Sequence, residues 1–360
     1  MRALDTTIRD YHWGSRTALA DLRGEPPSSS PEAELWVGAH PSAPSLLRGA
    51  GTPLDRYVAG DPVGLLGREA LAAFGPRLPF LLKVLAVETP LSLQVHPDRE
   101  QARSGHATGV FGDDRPKPEI LVALTEFETL AGFRDPAETV VLLDSLGAAF
   151  GPLRDLVAAG NLRGALRWAL HESVDLVDPP VWLGSVAAAY PGDPGVIAAL
   201  LLNHVTLRPG QGVYVAAGVP HAHLRGTGVE LMADSDNVVR AGLTSKPVDV
   251  GRVLELVELT PGLVLDGEIV GPLRTYPTPE PEFRLHAVLP GAVLHDQGPQ
   301  LLLCVKGSVE LARGGDQLVL SAGEAAFLPH GHKTRVAGDG QAYWATTGAA
   351  GSPAAGAAVG

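Results

Sequence analysis

Apolar positions change their spacing along this chain, and each change marks a new kind of element. The stretch up to about residue 60 is rich in turn formers, among them Pro26-Pro27-Ser28-Ser29-Ser30-Pro31, which predicts an exposed loop. The pattern then tightens: Leu81, Leu82, Val84, Leu85 and Val87, followed by Leu91 to His96, predict two buried strands broken at Thr89-Pro90, because proline cannot donate to a central ladder. Residues 119 to 133 predict a further strand pair. From Asp135 to about Leu202 the period lengthens, with Val140, Leu142, Leu143 and Leu146, then Leu153, Leu156 and Val157, then Leu162, Leu166 and Leu170 at three- and four-residue steps. That spacing predicts a helical insertion, with Asp135 as cap and Pro136 at the first helical position.

Strand-like alternation returns at Val205-Thr206-Leu207 and Val213-Tyr214-Val215 around Pro209-Gly210-Gln211-Gly212. The run Leu207 to Val215 resembles Leu320 to Leu328 position by position, and each copy precedes a histidine-bearing turn. Two copies of strand, glycine turn and strand suggest two small β-barrels of the jelly-roll kind, in which closure manages the edge strands. The Gly-, Ala-, Ser- and Pro-rich stretch from Gly348 to Gly360 predicts a flexible tail.

Composition agrees with this picture. The chain is 45% hydrophobic but only 5% aromatic, with 43 Gly and 31 Pro, which favours many short elements joined by tight turns. A formal net charge of −12 disfavours nucleic acid and anionic membranes as partners, while leaving room for a small anionic ligand in a local basic pocket. The lone Cys304 cannot form an intrachain disulfide, the opening residues lack the apolar stretch of a secretory leader, and the longest apolar segment, Leu78 to Val87, is interrupted by Lys83. A cytoplasmic location without a membrane span is expected.

Candidate chemistry begins at Leu91-Ser92-Leu93-Gln94-Val95-His96-Pro97-Asp98. A strand there places Ser92, Gln94 and His96 on one face, since side chains alternate with period two. Polar groups buried in a barrel need hydrogen bonds, a ligand or a metal, because leaving each unpaired costs roughly 1–3 kcal/mol. Lys117-Pro118-Glu119 adds a cation and a carboxylate, and Pro220-His221-Ala222-His223 adds imidazoles in a turn. Such a mixed nitrogen and oxygen set suits zinc or another divalent first-row ion. Isolated histidines such as His12, His40, His106 and His204 are expected at the surface or in ordinary hydrogen bonds, and Phe327-Leu328-Pro329-His330-Gly331-His332 is expected to be a solvated turn, not a second metal site.

Five segments in order carry a family resemblance: Tyr11-His12-Trp13-Gly14-Ser15, Ala33 to Pro41, Leu91 to Asp98, Lys117-Pro118-Glu119-Ile120 and Ser235 to Thr244. They resemble the signature segments of type I mannose-6-phosphate isomerases, members of the cupin superfamily. The resemblance implies a catalytic cupin barrel formed by residues 1–134 and 203–262, a helical domain over 135–202, a C-terminal cupin-like barrel over 263–347 and a tail over 348–360. It implies one zinc per chain held by Gln94, His96, Glu119 and His221, with Arg240 at the reacting carbons. Ser92, Lys117 and Lys246 become candidates for gripping sugar oxygens or phosphate, Glu230 and Asp236 for acid-base or supporting roles, His223 for part of the base's role or for contact with the sugar hydroxyls, and Trp13 and Glu34 for pocket lining. Without the resemblance, Lys117 and Lys246 would pass as surface lysines, Ser92 as a core hydroxyl, and Arg240 as an ion-pair partner of Asp236 or Glu230.

The implied reaction is the interconversion of mannose 6-phosphate and fructose 6-phosphate through a cis-enediol, by a monomer or weak homo-oligomer acting on a small-molecule substrate. Two departures stand out: Pro116 precedes Lys117 where relatives commonly carry histidine, and His223 stands where they usually carry tyrosine. Two other classes use similar residues, a sugar-phosphate sensor without turnover and a metal-dependent oxygenase.

Overall fold

A computed structural model describes residues 1–348 and the two-residue strand Ala357–Ala358. The remainder of the tail expected over 348–360 lies outside the described residues. The architecture is mainly β, and among the described residues the strands form three sheets of twelve, eight and four strands.

The twelve-stranded sheet is organised around one long strand, His221–Ala233. Its C-terminal half pairs antiparallel with Phe80–Val87 on one side and Glu119–Ala123 on the other. Its N-terminal half pairs with Phe127–Phe133 and, at His221, with Gln94 of the strand Leu93–Val95. The pairing register shifts between His223 and Arg225, next to Gly226 at φ 123°. A side chain at Gly226 would meet the Glu126 carbonyl oxygen at 2.6 Å, so the strand changes partners where a glycine lets the backbones close.

Phe80–Val87 is buried along its whole length, as the unbroken apolar run requires of a strand covered on both faces. Leu82, Val84 and Ala86 enter the largest core, which joins this sheet to the eight-stranded one through Leu301, Leu303, Phe327 and Tyr343. Period two sends Leu81, Lys83 and Leu85 to the opposite face. The first strand, Arg2–Asp5, lies in the eight-stranded sheet beside Ala325–Leu328, a long-range pairing that no local pattern announces.

The helical spacing between Asp135 and Leu202 corresponds to helices Pro136–Ser145, Gly151–Ala158, Leu162–Ala169, Val181–Ala189 and Gly195–Ala199. Asp135 Oδ1 accepts hydrogen bonds from the Ala137 and Glu138 amides at 2.8 and 3.3 Å, and Pro136 occupies the first turn. Leu143, Leu153, Leu166 and Leu183 pack with Leu93, Val95 and Leu130, so the helices cover one face of the strands that carry the candidate site. The internal repeat is visible in the backbone: Gly210 and Gly323 occupy the two turns at φ 86° and 85°. No helix among the described residues is long and apolar enough to cross a membrane.

The inter-sheet core makes an immediate prediction. Leu82→Ala should lower unfolding stability by about 2–5 kcal/mol, because the fully buried site cannot collapse around the missing methyls. Val181→Ala, at a position 93% exposed, should change it by less than about 0.5 kcal/mol. Urea titration of both variants gives the comparison, and equal effects would contradict the assigned core.

Candidate metal centre and substrate cleft

A cleft of about 770 Å³ opens between the helical segment and the twelve-stranded sheet. Its inner end is formed by neighbouring strands held in fixed register: His221 lies opposite Gln94, and Arg240 of the strand Val239–Gly242 lies on the other side of Gln94. Glu119 opens the strand Glu119–Ala123, which pairs with the far half of His221–Ala233.

Three of the expected ligands converge. His96 Nδ1 lies 2.8 Å from the Asn237 carbonyl and His221 Nδ1 lies 3.1 Å from the Val219 carbonyl. A carbonyl only accepts, so both Nδ1 atoms donate and both Nε2 atoms point inward. These Nε2 atoms are buried without a hydrogen-bond partner and face Glu119 Oε1 and Oε2 at 3.4 and 3.2 Å. Lone pairs aimed at a carboxylate repel it unless positive charge lies between them. The proton does not sit on His96 at neutral pH, because burial, reinforced by the Lys117 charge, lowers its pKa to about 4. Two imidazole nitrogens and a carboxylate with a carbonyl behind each ring make a donor set of zinc type, and Gln94 lines the same cleft beside them.

Asn237 holds this geometry from behind. Its side-chain amide donates to the Asp113 and Arg115 carbonyls at 2.9 and 3.0 Å, while Ser235 Oγ donates to the Asp113 carboxylate at 2.9 Å. The Ser235-Asp236-Asn237 segment thus locks the 113–115 loop and fixes the ring of His96.

A second cluster lies deeper in the wall. Lys83 Nζ donates to Glu230 Oε2 at 3.0 Å, stands 3.9 Å from Glu34 Oε2, and sits over the Trp36 ring at 5.2 Å. Trp36 Nε1 in turn donates to Glu34. Burial works against the Lys83 charge, but Glu230 and Glu34 outweigh it and hold the ammonium above its ordinary pKa. Burial would raise Glu230, and Lys83 overcomes it to keep the carboxylate below its usual range; Glu119 is lowered in the same way by Lys117, whose Nζ is 2.9 Å from Oε1. His223 Nε2 lies 3.6 Å from Glu230 Oε1, and its Nδ1 lies 3.0 Å from Thr129 Oγ1. That hydroxyl also reaches the Ala222 carbonyl at 3.2 Å, so it accepts from His223 Nδ1 and leaves the Nε2 lone pair on the cleft side.

The other expected residues belong to the same cleft. Ser92, Lys246, Trp13, Glu34 and Asp236 all line the cleft. Arg240 lines it too and makes no ion pair or side-chain hydrogen bond among the described residues, since Glu230 is taken by Lys83 and Asp236 by His40 Nε2 at 3.3 Å. His40 is buried, and His106 and His204 make ordinary contacts to the Phe111 carbonyl and to Glu128, as expected of isolated histidines. Lys83 is the residue that sequence reasoning missed. It registered only as an interruption of an apolar segment, although a charge in the middle of a strand buried on both faces was itself the signal.

These features define a mainly β protein with a deep polar cleft ending in a buried imidazole–carboxylate cluster of metal-binding type. A family profile described as "Phosphomannose isomerase type I, catalytic domain" matches residues 1–136. The mannose-6-phosphate isomerase of Escherichia coli (strain K12) is 35% identical over 91% of this chain and 94% of its own length, and mannose-6-phosphate isomerase 1 of Arabidopsis thaliana is 32% identical over 91% and 89%. A crystal structure of a mutant phosphomannose isomerase from Salmonella typhimurium superposes with a TM-score of 0.90 at 29% identity, covering 97% of this chain and 100% of that one. A mannose 6-phosphate isomerase crystallised with zinc and yttrium superposes with a TM-score of 0.89 at 29% identity, again over 97% and 100%. The chain belongs to the type I phosphomannose isomerase family.

Two predictions come from the buried charges. Lys83→Met strands two carboxylates and should cost about 3–5 kcal/mol of stability, much of it restored in Lys83→Met/Glu230→Gln; denaturant titration of the pair checks this. Acid sensitivity has a definite sign. The unfolded chain protonates His96 near its ordinary ~6.5, whereas the folded metal-free protein resists until about 4, so stability falls with pH across that window. Glu119 and Glu230, lowered on folding, contribute stability that is present above the ordinary ~4.3 and lost as pH falls through their folded values. The metal-free protein should therefore melt progressively lower from pH 7 to pH 4, and a flat melting temperature across that range would refute the protonation states.

Proposed function

We propose that this chain interconverts mannose 6-phosphate and fructose 6-phosphate with one zinc ion held by Gln94, His96, Glu119 and His221. The observation that carries this reading is the pair of buried, unpartnered Nε2 atoms facing Glu119 at the inner end of a cleft lined by lysines and an unpaired arginine. When bound there, zinc would act as a Lewis acid toward the sugar oxygens.

The chain's own residues account for the rest. Glu230 Oε1 and His223 Nε2 form an acceptor pair that takes the proton from C2 of the open-chain sugar and returns it at C1, with a cis-enediol between. Lys83 Nζ, kept protonated by two carboxylates, supplies a donor where negative charge grows on the sugar oxygens. Arg240 adds fixed positive charge at the reacting carbons, and Lys117 a cation beside Glu119. Ser92 and Lys246, which both line the cleft, hold the phosphate, which suits their hydroxyl and ammonium groups. Trp13, Glu34 and Asp236 complete the wall around the hydroxyls.

In this reading residues 1–134 and 203–262 form a cupin jelly-roll barrel around the metal, residues 135–202 form a helical domain, and residues 263–347 form a second cupin-like barrel. The repeated turns at Gly210 and Gly323 support the duplication. The protein acts as a monomer or weak homo-oligomer in the cytoplasm.

A coupled assay for fructose 6-phosphate formation, before and after chelation and with zinc restored, tests the proposal. Turnover should vanish with chelator and return with zinc; absence of turnover in the folded, zinc-loaded protein sinks it. Glu230→Gln should lower kcat by about 10²–10⁴-fold while zinc content, measured by elemental analysis, stays at one per chain.

A further inference from the structure

Asp193 places a carboxylate in the wall of a cleft assigned above to an anionic substrate, at the corner between the helices Val181–Ala189 and Gly195–Ala199. A free acid there would repel phosphate, but this one is fully engaged. Oδ1 accepts from the Gly195 amide at 2.7 Å and the Leu243 amide at 2.9 Å, and Oδ2 accepts from the Thr244 amide at 3.0 Å. Two of the three donors thus belong to the turn after the strand Val239–Gly242, whose residues Leu243 to Lys246 all line the cleft.

Within the turn the Lys246 amide donates to Thr244 Oγ1 at 3.1 Å. Leu243 sits at φ 53° and Gly242 at φ 142°, regions that L side chains rarely adopt. The two segments also approach back to back: a side chain at Gly195 would meet the Leu243 nitrogen at 2.7 Å, and one at Gly242 would meet the Gly195 Cα at 2.5 Å. Tyr190, on the same helical corner, donates its hydroxyl to the Pro90 carbonyl at 2.6 Å, two residues before Ser92. The corner is therefore bonded to both segments that carry the phosphate-gripping residues.

We propose that Asp193 is a positioning residue that clamps the Leu243–Lys246 turn, so that Lys246 meets the substrate phosphate in a preset geometry. Three backbone amides offset part of the Asp193 charge that faces the ligand. Its contribution is to substrate binding, not to the chemical step. The assignment rests on the isomerase reading above.

Asp193→Ala should raise KM for mannose 6-phosphate about tenfold, the factor that loss of one charge-assisted contact produces, and leave kcat within about twofold. Inhibition by inorganic phosphate should weaken by a similar factor. Hydrogen exchange should quicken at the Leu243 and Thr244 amides, and Asp193→Ala combined with Lys246→Ala should raise KM no further than Lys246→Ala alone. Should the alanine variant fail to fold, Asp193→Asn keeps one carbonyl acceptor, cannot accept at its amide nitrogen, and carries the same expectations. Unchanged KM, full additivity with Lys246→Ala, or loss of kcat and zinc without a change in KM overturns the inference alone. A zinc-loaded wild type without turnover overturns the isomerase reading, and this inference with it.

Discussion

Mutual compensation of buried charge is the constraint on which the cleft depends. Lys83, Lys117, Glu34, Glu119 and Glu230 are each less than a tenth exposed, and none could be ionised there alone. Lys83 is matched by Glu230 and Glu34, and Lys117 by Glu119. The match is incomplete where the Nε2 atoms of His96 and His221, without hydrogen-bond partners, face the Glu119 carboxylate. A divalent cation there would complete the balance, within the same electrostatics that permit the lysines to be buried.

The fold meets this constraint with very few elements. One strand, His221–Ala233, carries His221, His223 and Glu230, and its bend at Gly226 lets its two halves pair with different partners. Packing surrounds the cluster with a core shared between sheets on one side and helices on the other. Removing water in this way strengthens each charge interaction inside and raises the cost of any that is left unpaired.

His223 and Pro116 give this chain its own version of the cleft. With Pro116 no imidazole precedes Lys117, while His223, oriented by Thr129, turns a nitrogen lone pair toward Glu230. Proton-accepting capacity therefore lies on the long strand next to the Lys83–Glu230 pair, and the proposed chemistry is centred there.

Local pattern carried much of this in advance. Apolar period distinguished the strands Phe80–Val87 and Leu93–Val95 from the helices after Asp135, because burial on a pleated or helical face imposes that period directly. Alternation set Gln94 and His96 on one face, and the family segments drew attention to Glu119, His221 and Arg240. What no local pattern contained was the partnership between distant positions. Lys83 reaches Glu230 across 147 residues, His40 reaches Asp236, Asp193 reaches Thr244, and Arg2–Asp5 joins a sheet made by the other end of the chain. Period and composition determine how a segment buries itself. Which buried charge meets which is settled only when the sheets close, since a charge is stable there only beside a partner that the tertiary fold delivers.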